Sequence, residues 1–414
     1  MADRWSGDRL GMPWKEISPM QQRKQFLLDW EMDARVGRVN LAALCRAYGI
    51  SRPTAYKWIG RYLQTRGRLE ALAERSRRPL SSPDAIPDDV VDLLVKARKA
   101  RPYWGPVTLR RWLINRGEEE ARLPAPSTIG AILKRHGLVR PRQRRWRTPP
   151  SMGTKPSVEA DCPNAVWCID YKGQFRTADG QLCYPLTLID AYSRYLLRCE
   201  GLPSTDERRA REVLESAFRE FGLPARIRSD NGSPFASTGV GGLTRLSVWW
   251  IKLGIHPERI RPGKPQENGR LERFHGTLKR ETARPPRASM RAQQRAFDLF
   301  RRRYNEERPH QALDGVVPDE LHVPSTRLFV VDPPDPTYPP DWETRRVSRS
   351  GAASWNRGPL ALGGVLAGEL VGIKPIDHDR VEFYFGPVLL GYHDPGRVAH
   401  RLVRPRPKRR RSSR

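Results

Sequence analysis

Residues 166–175, VWCIDYKGQF, with 181–202, QLCYPLTLIDAYSRYLLRCEGL, and 225–235, ARIRSDNGSPF, decide how this chain is read. All three are short runs rich in Val, Ile, Leu, Tyr and Cys, bounded by Gly, Pro, Asp and Asn, which is the pattern of buried strands between turns. Between the second and third lies TDERRAREVLESAFREFG, 205–222, whose apolar residues recur at helical spacing for about four turns. Strands, a helix and another strand predict an α/β domain.

An acid inside such a strand is costly unless paired, so Asp170, between Ile169 and Tyr171, needs a partner, either an arginine or a metal ion. Asp230 follows the third run directly, and a helix expected from about Gln266 to Arg284 carries a glutamate near its start. Taken singly, such an acid reads first as a salt-bridge or turn residue. Two carboxylates from neighbouring strands and a third from a helix can instead hold two hard divalent cations, leaving room for water and a substrate phosphate. That chemistry is phosphoryl transfer without a covalent enzyme nucleophile.

The rest of the chain agrees with a polyanionic substrate. Its 414 residues suffice for two to four domains, and 75 Lys and Arg against 46 Asp and Glu leave a formal charge of +29. An excess of that size repels itself in a compact state unless a polyanion is near, so nucleic acid is the first partner implied. Five cysteines with no C-x-x-C pair suggest neither a disulfide framework nor a zinc ribbon. With no run of about 20 apolar residues, the expectation is a cytoplasmic protein with no membrane partner.

Upstream, the spacing predicts a helix over Val39–Tyr48, a turn at Gly49-Ile50-Ser51 and a second helix from Arg52 to about Tyr62, a helix-turn-helix pattern. Ser51 is placed to cap the second helix, and Ala55, Ile59 and Tyr62 to face its partner. Its other face presents Arg52, Thr54, Tyr56 and Lys57, where recognition helices touch base edges and phosphates, though an ordinary hairpin with a solvated basic face has the same pattern. Three more helices are expected between Ile86 and Gly137, with Ser127 as an N-cap, followed by the basic run RPRQRRWR, in which Arg144 and Arg145 suit phosphate contact or a solvated linker. Beyond the α/β block, Arg345–Val403 holds short β-like runs punctuated by Gly, Pro and Asp, which predict a small β-barrel, and the chain closes on the polycation RPRPKRRRSSR. The expected layout is multidomain: 19–78, an all-α helix-turn-helix DNA-binding domain; 84–140, a second winged or helix-turn-helix-like domain; 141–163, a basic Pro-rich linker; 164–325, an α/β core; 341–403, the small β-barrel; and 404–414, a basic tail.

The runs WCIDYKGQF, LIDAYSRYLL, IRSDNGSPF, ENGRLERFHGTLKRE and YNEERPHQAL, in that order, resemble the catalytic core of insertion-sequence transposases and retroviral-type integrases. The resemblance covers roughly Ala165 to Leu321 and implies an RNase H-like fold, an Asp-Asp-Glu triad, two Mg²⁺ or Mn²⁺ ions, and a homo-oligomer, dimer or tetramer, on double-stranded DNA. The implied function is a bacterial transposase that binds its element's terminal repeats, cleaves the DNA and joins 3′-ends to target DNA. A non-catalytic, domesticated DNA-binding regulator and an RNase H-like nuclease without joining activity are the alternatives.

By position, Asp170, Asp230 and Glu272 carry over as the catalytic, metal-binding acids, and Lys279 resembles the lysine with which this helix holds the DNA end. Asp230 and Glu272 are 42 positions apart, longer than the family's usual spacing, with the excess assigned to STGVGGLTRLSVWW. Glu267 competes for the third place, but it precedes Asn268-Gly269, a turn or helix-entry pair, whereas Glu272 lies within the helix and shares an edge with His275 and Lys279. Asp190, at the end of LTLID, is read as a structural acid. Trp249 and Trp250 are read as core or subunit contacts.

Overall fold

The computed structural model describes residues 18–65, 68–74, 85–139, 159–260, 269–355, 358–377, 380–393 and 402–403. The chain divides into two units, Met1–Ala85 and Ile86–Arg414. In the first, α1 (Pro19–Arg35), α2 (Leu41–Ala47) and α3 (Arg52–Gln64) enclose Phe26, Leu27, Cys45, Ala55, Trp58 and Ile59. Asn40 caps α2 through its side chain, so that helix starts two residues later than its apolar spacing predicts. Ser51 caps α3 as expected, and Gly49, at φ +62, supplies the left-handed turn between the two.

The second unit begins with α4 (Asp88–Ala100), α5 (Pro106–Asn115) and α6 (Pro126–Arg135), packed around Leu94, Leu109, Ile129 and Ile132. Ala125 occupies the N-cap of α6 with Pro126 in its first turn, and no side chain caps it. Proline's fixed φ starts that helix at 126, and the N-cap falls two positions before the expected Ser127.

The central sheet runs β4 (Leu196–Leu202), β3 (Leu182–Asp190), β1 (Val166–Tyr171), β5 (Arg226–Ser229), β6 (His256–Arg259), with the short β2 (Phe175–Arg176) also pairing β3. β4, β3 and β1 are antiparallel neighbours, while β5 and β6 run parallel to β1. The parallel connections require crossovers. Helix α7 (Glu207–Phe221), capped by Asp206, leads from β4 to β5, and α8 (Arg245–Lys252) leads from β5 to β6. One face of the sheet packs with both helices around Trp167, Leu188, Leu214, Phe218 and Trp250. The other face is covered by α9 (Gly269–Thr282) and α10 (Met290–Glu306), through Leu271, Phe274, Leu278, Phe297 and Phe300. A short α11 (Pro318–Leu321) follows.

The stretch assigned to the excess spacing forms most of α8. Leu246, Trp249, Trp250 and Leu253, at i, i+3, i+4 and i+7, enter the core of the central domain, so both tryptophans are core residues. Val248 and Ile251 lie on the opposite side and pack with Val371, Phe383 and Leu390 of the C-terminal strands. These strands form a four-stranded antiparallel sheet, β12 (Val388–His393), β11 (Val381–Phe385), β10 (Leu370–Pro375), β7 (Glu343–Arg346), and a separate hairpin, β8 (Ala352–Trp355) with β9 (Gly358–Ala361). Among the described residues these pairings make two sheets over one core and do not close the ring of the expected barrel. The tail from 404 onward lies outside the described residues.

Candidate active site

Antiparallel pairing sets Asp170, the penultimate residue of β1, opposite Thr187 of β3. Asp230 follows the last residue of β5, the parallel neighbour of β1, so the two acids leave adjacent strands at the same edge of the sheet. Gly232 N–H donates to Asp230 Oδ1 at 3.2 Å. A Cβ at position 232 would stand 2.9 Å from Asp230 Oδ2, which is why a glycine suits that turn. Asn231 donates through its side chain to the Ile260 carbonyl at 2.9 Å, tying the loop after β5 to the end of β6.

Glu272 lies in the first turn of α9 and is exposed, flanking the buried stripe of Leu271, Phe274 and Leu278. Lys279 is also exposed, two turns further along. His275 is 4% exposed. The edge expected to hold acid, imidazole and cation is therefore split: His275 turns into the protein, where Nε2 lies 2.8 Å from Thr187 Oγ1 and Nδ1 lies 3.8 Å from Asp170 Oδ2.

Burial raises the Asp170 carboxyl to about 7, helped by the negative charge of Asp230 and, less, of Glu272, while the Tyr171 N–H and the Lys172 ammonium pull it down. The field of both other acids thus reaches Asp170. Burial and the Lys172 charge push the His275 imidazole down to about 3, so it is neutral at pH 7. Among the described residues no three His, Cys, Asp or Glu stand as a ready-made metal cluster. The donor set nevertheless suits a hard divalent cation, being all carboxylate oxygen, and the mutual repulsion that raises Asp170 is what a cation relieves.

Lys172 and Thr187 were not singled out from the sequence. The signal for Thr187 is a lone hydroxyl in the apolar run LTLID, and only the strand register sets it beside Asp170. Asp190 is fully buried, its carboxylate accepting from Asn164 N–H at 3.1 Å, Ser193 N–H at 2.9 Å and the Ser193 hydroxyl at 2.5 Å. Glu267, Arg144 and Arg145 lie outside the described residues. A cavity of about 110 Å³ between α4–α5 and α9–α10, lined by Arg101, Trp104, Glu281, Arg303, Tyr304 and Arg308, involves none of the three acids.

In the first unit, Arg52, Tyr56 and Lys57 are exposed at the start of α3, Tyr56 to 63%. The Thr54 hydroxyl is instead 2.9 Å from the Ser51 hydroxyl, within the helix cap. Trp58, absent from the expected buried stripe, is 6% exposed and lies under the Arg23 guanidinium at 4.1 Å.

Residues 160–265 and 253–318 match models of the integrase core domain, residues 23–79 a helix-turn-helix domain, and residues 54–133 a homeodomain-like domain. The chain is 29% identical, over 44% of its length and 63% of the relative's, to the insertion element IS407 uncharacterized 31.7 kDa protein of Burkholderia multivorans. It is 28% identical, over 39% of its length and 63% of the relative's, to the transposase for insertion sequence element IS904 of Lactococcus lactis. The chain spans less than two thirds of the length of these curated relatives. Among solved structures, the HTLV-2 integrase catalytic core in complex with magnesium matches 39% of this chain and 99% of that one, at 16% identity and a TM-score of 0.32. No helix among the described residues is long and apolar enough to cross a membrane.

Proposed function

We propose, from the premise that this chain belongs with the insertion-sequence transposases whose core is of the retroviral-integrase type, that it binds the terminal repeats of a DNA element, cleaves there, and joins the 3′-ends to target DNA. The observation that carries this reading is the placement of Asp170 and Asp230 at the same edge of adjacent parallel strands, with Glu272 on α9 near enough for its charge, like that of Asp230, to act on the buried Asp170 carboxyl. Such perturbed acids cluster at functional sites.

In this reading Asp170, Asp230 and Glu272 hold two divalent ions, Mg²⁺ or Mn²⁺. When bound, these ions supply Lewis acidity at both the attacking and the departing oxygen of an in-line displacement. The chain's own residues do the rest. Gly232 N–H and the short turn after β5 fix the Asp230 carboxylate, and Lys279 holds a backbone phosphate of the DNA end along the same helix as Glu272. Exposed Arg52, Tyr56 and Lys57 on α3 read the terminal repeat, and Arg144 and Arg145 add phosphate contacts. Two copies or more on DNA bring both element ends to one target. The domain limits 19–78, 84–140, 164–325 and 341–403 are proposed as the units of this division of labour.

The test incubates the full chain with DNA bearing the ends of its element, a target plasmid and Mg²⁺. Repeat-specific binding, metal-dependent nicking and joined products are expected. Binding without nicking in either metal would overturn the catalytic reading, and nicking without joined product would reduce it to a nuclease.

A further inference from the structure

The buried His275 takes no part in contact with a phosphodiester in the proposed reaction, yet it is bonded into the site. Thr187 Oγ1 donates its one proton to the Asp170 carbonyl at 3.1 Å. The Thr187 oxygen, 2.8 Å from His275 Nε2, is therefore left as the acceptor in that contact, which assigns the imidazole proton to Nε2. A single chain results: His275 Nε2–H to the Thr187 hydroxyl, and that hydroxyl to the backbone of Asp170. It links α9, β3 and β1 at the place where the acids stand. His275 Nδ1, 3.8 Å from Asp170 Oδ2, is beyond hydrogen-bond reach, so the imidazole does not occupy the carboxylate.

The position of this chain gives it leverage. The other described polar ties between α9 and the rest of the protein are at its far end, where Arg308 pairs with Glu281 at 3.0 Å and Gln293 donates to the Thr282 carbonyl at 3.1 Å. In the half that carries Glu272, the contact with the sheet is otherwise apolar, through Leu271 and Phe274, and apolar packing is not directional. Glu272 and His275 are at i and i+3, neighbours on the helix surface, so a fixed imidazole fixes the rotation and height of the turn that presents the acid. Thr187 is 0% exposed, so water offers no substitute partner.

We propose that His275 and Thr187 are positioning residues, a hydrogen-bonded brace that sets Glu272 of α9 against Asp170 of β1. This rests on the transposase reading for its consequence, since misplacing a catalytic group by about 1 Å costs on the order of 10²-fold in rate.

The experiment measures cleavage and joining by the full chain under saturating DNA ends, alongside DNA affinity and thermal melting. Thr187→Val keeps the shape and removes the hydroxyl, and kcat is expected to fall by ~10²-fold with the KM for DNA ends within about twofold of wild type. Thr187→Ser, which restores the hydroxyl, is expected to recover most of the rate. A Thr187→Val protein with wild-type kcat overturns the brace, as does a Thr187→Ser protein as slow as Thr187→Val. Should Thr187→Val fail to fold, the bond is cut from its other end. His275→Gln retains a donor and is expected to turn over at least about tenfold faster than His275→Met, while equal rates overturn the proposal. Asp170→Asn separates this from the larger reading. If Asp170→Asn is inactive and Thr187→Val is not impaired, only the brace falls, whereas an active Asp170→Asn removes the proposed function itself.

Discussion

Strands β1 and β3 carry an aspartate toward each end of their pairing, Asp170 opposite Thr187 and Asp190 opposite Trp167, and the two acids live in opposite surroundings. Asp190 is fully buried, but two backbone N–H groups and a hydroxyl point at its carboxylate. Asp170 retains 22% side-chain exposure, and the charges nearest to it include two further acids. Donors around a carboxylate make it structural, because they stabilise its charge and lock the β3–β4 turn in place. Acids around a carboxylate do the reverse: they store repulsion that only a proton or a cation can discharge.

The sharpest way to break this comparison is to remove each charge in turn. Asp170→Asn and Glu272→Gln are expected to lower cleavage and joining in Mg²⁺ by roughly 10³-fold, since metal coordination is worth several kcal/mol at the transition state. Repeat binding in a gel-shift assay should persist in both, because it is assigned to the helical modules. Glu267→Gln should keep substantial activity. If Glu267→Gln is the inactive one, the third ligand has been misassigned while the metal mechanism stands.

Asp190→Ala should behave in the contrary manner. It leaves three donors unmet, the two from Ser193 buried, and is expected to cost about 2–4 kcal/mol of stability in urea unfolding. The folded fraction should still process DNA. Loss of activity at full stability would erase the distinction between the two ends of the strand pair.

The pH dependence sharpens the same contrast. Burial, with the Asp230 charge, holds the folded Asp170 carboxyl at about 7, against an ordinary 3.8. Between those values the folded state holds the extra proton, so stability falls as pH rises across that window and levels off above it. Asp170→Asn removes the effect, and its stability relative to wild type should climb between about pH 4 and 7, reaching ~2–4 kcal/mol in metal-free buffer. His275 works in the other direction, with a folded value of about 3 against 6.5, so its contribution is lost as pH falls below that upper value. Mg²⁺ should raise the melting temperature of wild type above pH 7 far more than that of Asp170→Asn. Equal metal responses would argue against Asp170 as a ligand.

The smallest expected effect lies in the first unit. Arg52→Ala should weaken binding to the terminal repeat by about 1–3 kcal/mol while leaving random duplex nearly unaffected, if Arg52 touches a base edge. Thr54→Ala should act mainly on helix stability, since its hydroxyl serves the Ser51 cap.

The sequence by itself determined the kinds of element and their order. Apolar runs bounded by turn residues marked β1, β3, β4 and β5, helical spacing marked α3, α7 and α10, and Ser51 and Gly49 marked the turn that opens α3, because these signals act over a few neighbouring residues. Asp170 was legible as a carboxylate in an apolar strand, and Glu272 through its motif. Tertiary structure alone decided what lies across the sheet and beneath the helices. Thr187 acquires its role from the antiparallel register, and His275 is drawn inward because α9 turns that face toward β3. The stretch that lengthens the Asp230–Glu272 spacing becomes, in α8, a helix with two apolar faces joining the central domain to the C-terminal sheets. The physical reason is range. Propensity and capping depend on residues a few positions apart, whereas hydrogen-bond partners 88 positions apart, such as Thr187 and His275, are brought together only when the sheet and its covering helices close around a common core.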